Sequence, residues 1–414
     1  MSNLWKNYKT SIVLLLAILI GGAVGVVMGP DAVVFKPIGD LFLNLLFMTL
    51  VPLVFFSVTS AIANMGEMGR LGNILKNILI VFTITAIISG VLAMIGVLIF
   101  NPTKGLDPSM FSALMETATE SSDTEKLNFF QQLVNTVTVS DFKDLLSKSN
   151  MLQLIVFSML VGIAIVMTGE VAKPIATIVN AGQAVMMTII NIIMKVAPLG
   201  LGAYFATVIG ELGPQILSGY MNVFILYLIL TVIVYFGLFT IYAYIAGGKE
   251  GIQIFWKHAM APTVTALATC SSAASIPVNM EYTKKMGVPE DIAETVIPLG
   301  ANTHKDGSVI GGVLKVTFLF GIFGYDMTSI SAIASILVVS FLVGAVMGAI
   351  PGGGMMAELL ILSVFGFSPE ALPIIAVIST IIDAPATVLN STGNTVCAMM
   401  VARLVEGKNW LKKA

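Results

Sequence analysis

The sequence predicts an all-α polytopic membrane protein with eight transmembrane helices plus two re-entrant helical hairpins. Three observations carry this. Of 414 residues, 57% are hydrophobic and only 11% are charged, whereas soluble domains average about 25% charged residues. Apolar runs of about 20 residues, long enough to cross a bilayer, recur along the whole chain. Two further apolar runs are interrupted by Ser-rich or Gly/Pro-rich stretches, so that neither flank can cross alone. The net charge of −2 suggests no nucleic-acid partner. Two histidines and two cysteines form no ligand cluster for zinc. Cys270 and Cys397 lie in apolar surroundings and are expected to be small buried thiols, not a disulfide.

Taken in order, the first span is 11–28, preceded by Lys6 and Lys9. It lacks a small-residue cleavage site and is expected to be a retained helix. The second, 38–63, contains Pro52, whose freed carbonyl neighbouring helices can satisfy. The third, 74–100, closes on Asn101-Pro102. The stretch 103–150 is polar and reads as a surface loop, with a short amphipathic helix near 142–146. The fourth span is 151–167, the fifth is a long one over 171–209, and the sixth is 220–245. The run 256–278 is interrupted at 269–277 and reads as the first hairpin. The seventh span is 292–323. The run 330–365 is interrupted at 348–354 and reads as the second hairpin. The last span, 371–405, is expected to break at Asp383-Ala384-Pro385 and again at 390–394. With the amino terminus inside, thirteen of 21 lysines and arginines fall on the side of the termini and five on the other. Lys195, Lys305 and Lys315 fall within spans. This asymmetry places both termini in the cytoplasm.

The stretch Pro298-Leu299-Gly300-Ala301-Asn302-Thr303-His304-Lys305-Asp306-Gly307-Ser308 sets three ionisable groups side by side inside an apolar span. A charged side chain costs about 2.5–3.5 kcal/mol at the bilayer centre, so such a cluster needs a partner or a use. Its Gly and Asn/Asp content predicts a broken helix. An unwound helix with ionisable groups at membrane depth is the pattern of a transporter site. An intramembrane enzyme with Asp306 and Asp383 as paired acids would need a Gly-x-Gly-Asp context that is missing, so the chain is not read as an enzyme.

Several stretches carry a specific resemblance: Asn150-Met151-Leu152-Gln153-Leu154-Ile155-Val156-Phe157, the Ser-rich 269–277, 298–308, Ile350-Pro351-Gly352-Gly353-Gly354, and 383–394. They occur in the right order, and the chain resembles the dicarboxylate/amino acid:cation symporter family, the glutamate-transporter homologues. The resemblance implies a glutamate-transporter-like fold in a homotrimer. Helices 1–3 would occupy 1–100, a polar extracellular loop 101–150, and helices 4–6 151–247, helices 4 and 5 chiefly making the scaffold and the trimer contacts. Residues 248–414 would form the core transport domain, made of hairpin 1, helix 7, hairpin 2 and helix 8. The expected setting is the plasma (inner) membrane, multi-pass, with the bilayer and a small-molecule amino acid as partners.

The resemblance also assigns residues. Asp383 takes the substrate ammonium, and Ser271, Ser272, Ser308, Gly352, Gly354, Thr387 and Asn390 complete the substrate site. The N-termini of the half-helices suit its carboxylate. An arginine three residues after the aspartate binds a side-chain carboxylate in acidic-substrate members; here that position is Ala386. Other members carry an arginine in the first tip, where this chain has Cys270. An arginine fork is the natural carboxylate partner, so its absence points to a small neutral amino acid. The alternatives are an acidic amino acid or C4-dicarboxylate held by Lys305, or an uncoupled, channel-like facilitator.

Equivalents of the sodium sites fall on Thr85, Gly300, His304, Asp306, Asn390 and Asn394. They are partly degraded: Asn394 replaces an aspartate, and Phe82 and Ala86 replace hydroxyl side chains. A further family aspartate, four residues before Asp383, is Ser379. No cofactor is expected beyond Na+ as coupling ion. Lys305 could replace one sodium as a tethered cation, or His304 or Lys305 could carry a proton. Against these stand simpler readings, in which Asp306 only neutralises Lys305 and His304 is a satisfied core histidine. The Ser271-Ser272 tip could be a hydrogen-bonded turn, and the glycines of the second tip could serve the turn, the gate or both. Lys315 and Glu358 match no family site and could pair with each other.

Overall fold

The computed structural model describes residues 2–63, 70–105, 138–147, 150–193, 195–212, 215–346, 353–368 and 371–412. Among these the regular structure is all helical, with no strand. Helix α1 (Ser2–Met28) ends at Gly29, whose φ of +55° suits only glycine without strain. A 3-10 turn (Gly29–Phe35) leads to α2 (Lys36–Ala63), which keeps Pro52 in its interior. Then come α3 (Arg70–Ile99), a 3-10 turn (Phe142–Leu146), α4 (Met151–Thr168), α5 (Lys173–Ile193) and α6 (Ala197–Leu212). Asp141 caps the 3-10 turn by accepting from the Lys143 N–H. The short helix expected near 142–146 is thus present, as a 3-10 turn. The fifth span is two helices rather than one. Pro198 sits in the first turn of α6, where its missing N–H breaks no bond.

Helix α7 (Gln215–Val232) runs through a π turn (Ile233–Leu238) into α8 (Phe239–His258), which kinks at Gly247 and Gly248. This apolar rod extends the expected sixth span at both ends. Helices α9 (Met260–Thr269) and α10 (Ser272–Lys285) fold back on each other across Cys270 and Ser271. Helices α11 (Glu290–Thr303) and α12 (Asp306–Ile322) are separated by His304 and Lys305 in non-helical backbone, so the expected break in the seventh span is present. Helices α13 (Ile330–Val346) and α14 (Gly353–Phe365) pack on each other. Most of the expected second tip, 348–354, lies outside the described residues, including Gly352. Helix α15 (Leu372–Glu406) is one continuous helix of 35 residues. The expected interruptions at 383–385 and 390–394 do not occur.

Helices α1, α2, α4, α5 and α6 pack chiefly on one another, and α9–α15 pack with α3 and α8. The first group closes through small residues. Gly21 faces the Gly202 backbone, and Gly25 faces Ala206 and Ile209, so any side chain at either would strike the opposite helix. Outside these contacts the helices present large apolar side chains: Val27 is 85% exposed, Ile99 82% and Ile330 87%. Apolar exposure on this scale marks a surface made for lipid. Among the described residues five stretches are long and apolar enough to cross a membrane: Leu16–Phe42, Gly72–Ile99, Val156–Met186, Ile216–His258 and Ile374–Glu406. The chain is a multi-pass membrane protein by these features.

Candidate functional site

The candidate site lies where the break between α11 and α12 meets α15 and the α9–α10 tip. Breaking a helix frees the first N–H groups of the next one. Here α15 supplies the cap. The Asn390 Oδ1 accepts from the Gly307 N–H at 2.8 Å and from the Ser308 N–H at 3.2 Å, while its Nδ2 donates to Ser308 Oγ at 3.0 Å. The Tyr227 hydroxyl of α7 donates to the Gly307 carbonyl at 2.8 Å. A side chain at Gly307 would collide with the Ala386 backbone, so only glycine allows this approach.

His304 points into a fully buried polar pocket. Its Nε2 stands 3.0 Å from Thr85 Oγ1, 3.3 Å from Asp306 Oδ1 and 3.4 Å from Cys397 Sγ. Its ring lies 4.7 Å from that of Phe82, centroid to centroid. Both Asp306 oxygens, His304 Nδ1 and both polar atoms of Asn394 are buried without a hydrogen-bond partner. Asn394 also presses against Gly300. Buried polar atoms are rarely left unpaired, and this donor set of oxygens around one imidazole suits a cation or a proton. Thr85, Gly300, His304, Asp306 and Asn394 are therefore brought together. Asn390 is adjacent but its side chain is engaged as the cap.

Lys305 is buried, and its Nζ donates to Ser272 Oγ at 3.2 Å. Asp306 has His304 beside it, not Lys305, so the simple neutralisation of Lys305 by Asp306 does not occur. At the α9–α10 tip Cys270 adopts φ +47°, left-handed backbone for a non-glycine residue, and is only partly buried. The expectation of a buried thiol holds for Cys397 but not for Cys270. Ser271 caps α10 by accepting from the Ala274 N–H at 3.2 Å. It thus makes a hydrogen-bonded turn, and the freed N-terminus of α10 points into the same region.

Asp383, Thr387, Asn390 and Asn394 recur at helical spacing and share one face of α15. Asp383 is exposed, and among the described residues no ion pair reaches it. Lys305 and Lys315 act on it through space without touching it. Thr387 and Ala386 are buried beside it. Gly354 is the second residue of α14. The sequence reading missed Tyr227 and Cys397. Cys397 carried a signal, because it stands seven residues after Asn390 and continues the same stripe. Tyr227 carried none, since one tyrosine in an apolar span does not reveal its target.

Residues 11–404 match the model of the sodium:dicarboxylate symporter family. A proton/sodium-glutamate symport protein of Bacillus caldotenax is 30% identical over 403 residues, 93% of each chain. A proton/glutamate-aspartate symporter of Bacillus subtilis (strain 168) is 27% identical, again over 93% of each chain. A C4-dicarboxylate transport protein of the same bacterium is 25% identical over 97% of this chain and 94% of its own. The family consists of secondary transporters, not enzymes, and the match runs nearly end to end. The chain belongs to the sodium:dicarboxylate symporter family.

Proposed function

We propose that this symporter carries a small neutral amino acid, coupled to sodium or protons, by an elevator-type movement of residues 248–414 against the rest. The observation that carries this reading is Asp383, an exposed carboxylate with no ion-pair partner among the described residues, with Ala386 instead of an arginine beside it. A carboxylate there complements an ammonium group, and nothing at 386 complements a second carboxylate. The substrate carboxylate would lie at the tip made by Ser271 and Ser272, towards Ser308, Thr387 and Asn390. Gly352 and Gly354 would close over it. The cation or proton would lie among Thr85, Gly300, His304, Asp306, Asn390 and Asn394. The polar atoms left unpaired there support an occupant. A homotrimer in the plasma membrane with cytoplasmic termini completes the reading.

A second reading has its own observation. The Lys305 ammonium stands at Ser272, at the expected carboxylate end of the site. It could hold an acidic substrate, as the glutamate and C4-dicarboxylate names of the relatives suggest. Competition in proteoliposomes separates the two. Serine or alanine uptake that resists excess aspartate and succinate supports the neutral substrate. Uptake of aspartate or succinate that collapses in Lys305→Met replaces it with the second reading. Imposing sodium and proton gradients separately identifies the driving ion, and failure to concentrate any substrate under either gradient leaves a facilitator.

A further inference from the structure

A second buried charge cluster lies apart from the His304 pocket. Lys315 on α12 places its Nζ 3.2 Å from Glu358 Oε1 on α14, and Ser379 on α15 donates to the same oxygen. All three helices meet at this point, and both charged side chains are almost fully buried. The other carboxylate oxygen, Glu358 Oε2, is buried with no hydrogen-bond partner among the described residues. A purely structural ion pair needs both oxygens satisfied to offset its desolvation. An oxygen left bare is instead a place for a small ligand. Ser379 lies four residues before Asp383, so the triad sits one helical turn from the exposed carboxylate of the candidate site.

We propose that Glu358 is a proton-binding site of the transport cycle, separate from the His304–Asp306 pocket. A proton taken from water bonds to Glu358 Oε2 and neutralises the carboxylate. Lys315 keeps its charge, which then has no counter-charge within the pair. Protonation thus changes the charge one helical turn from Asp383, the group that meets the substrate ammonium, and so couples proton binding to substrate binding. The surroundings leave few other candidates. Glu358 is the one ionisable group of α14, and the neighbouring α13 and α4 carry no Asp, Glu, Lys, Arg or His. Among the described residues Lys315 from α12 is the charged group paired with it, and Asp383 of α15 stands one helical turn beyond Ser379. Movement of α14 away from α12 and α15 would expose the group to water. The inference rests on the transport reading only for the use of the charge.

The first test needs no substrate. Infrared difference spectra of the purified protein between alkaline and acidic pH should show a protonated-carboxyl band that Glu358→Gln abolishes. A band that is absent in the wild type, or unchanged in the variant, overturns the proposal. The second test measures uptake in proteoliposomes. One linked proton changes apparent affinity by up to about tenfold per pH unit, and Glu358→Gln should flatten this dependence and abolish accumulation driven by a proton gradient. Because Glu358→Gln strands a buried lysine, the double variant Lys315→Met/Glu358→Gln provides the folded control. If that variant keeps the wild-type pH profile and gradient-driven uptake, the proposal falls. A Glu358-dependent band together with no uptake of any substrate tested would leave the proton site standing and remove the functional reading instead.

Discussion

The two helices that build the site carry similar polar interruptions, and only one of them breaks. In α11–α12 the chain leaves the helix at His304 and Lys305 and restarts at Asp306. In α15 the helix runs straight through Asp383, Pro385, Asn390 and Gly393. The difference is in where the freed backbone groups go. At the break, the Gly307 and Ser308 N–H groups meet the Asn390 amide, and the Gly307 carbonyl meets the Tyr227 hydroxyl. Along 383–394 Asn279 Nδ2 donates to the Ser391 carbonyl at 2.9 Å, and the intrahelical ladder is nonetheless kept. Pro385 removes one ladder bond without redirecting the chain. One unbroken helix thus serves as the ruler along which the polar side chains are spaced. The broken one supplies bare backbone and ionisable groups to meet them.

The largest effect is expected where the ruler meets the substrate. Asp383→Asn keeps the shape of the site and removes its charge. Truncating one side of a buried charge pair costs about 2–5 kcal/mol, so binding of an amino substrate should weaken by roughly two orders of magnitude or disappear. Calorimetry with the purified protein measures this directly. An unchanged affinity would leave the amino-substrate reading without support. The next effect tests the cap. Asn390→Ala leaves two buried N–H groups at the start of α12 without acceptors. Each unsatisfied group costs about 1–3 kcal/mol, and thermal unfolding in detergent should fall accordingly. Stability equal to the wild type would mean that α12 does not depend on α15 for its cap. A smaller effect is expected at Pro385. Since the helix does not break there, Pro385→Ala should restore a ladder bond and leave both uptake and stability unchanged or slightly raised. Loss of uptake would show that a latent break at 385 is used during transport.

These outcomes also bear on what sequence reasoning can reach. The spans were legible because their length and apolarity are local properties. The break at 303–306 was legible because ionisable residues and glycines coincide in a span, a local cost with a local remedy. The continuity of α15 was not legible. Asn, Ser, Thr, Gly and Pro signal a break in isolation, but whether a helix yields depends on partners from other helices. The division between α5 and α6 was signalled by Pro198 and hidden by the evenly apolar run around it. In the site, the residues from Asp383 to Asn394 came from the family resemblance, while their alignment as one stripe was hidden by the breaks expected at 383–385 and 390–394. The partnership of Lys315, Glu358 and Ser379 joins positions 21 to 64 residues apart on three helices, which no single-sequence pattern specifies.

The smallest effect is expected at the aqueous end of the same broken helix. Lys284 at the end of α10 meets Glu290 at 2.5 Å and Glu294 at 2.9 Å, both at the start of α11. This clip spans the turn that joins the α9–α10 hairpin to the broken helix. The two carboxylates raise the Lys284 pKa, and the lysine in turn holds Glu290 below the usual carboxylate range. The sign of each shift sets its pH window. The Glu290 contribution is present above the unfolded carboxylate pKa and is lost as pH falls through the depressed folded value. The Lys284 contribution is present below the unfolded lysine pKa and is lost as pH rises through the raised folded value. All three groups are solvent-exposed, so screening leaves little net energy in the clip. Lys284→Ala should therefore change the unfolding temperature by less than the scatter between preparations at physiological salt, with any loss appearing only at low ionic strength. A clear drop at high salt would mean that the turn between hairpin and broken helix is under load, and that the break is held open from its aqueous end as well as by Asn390.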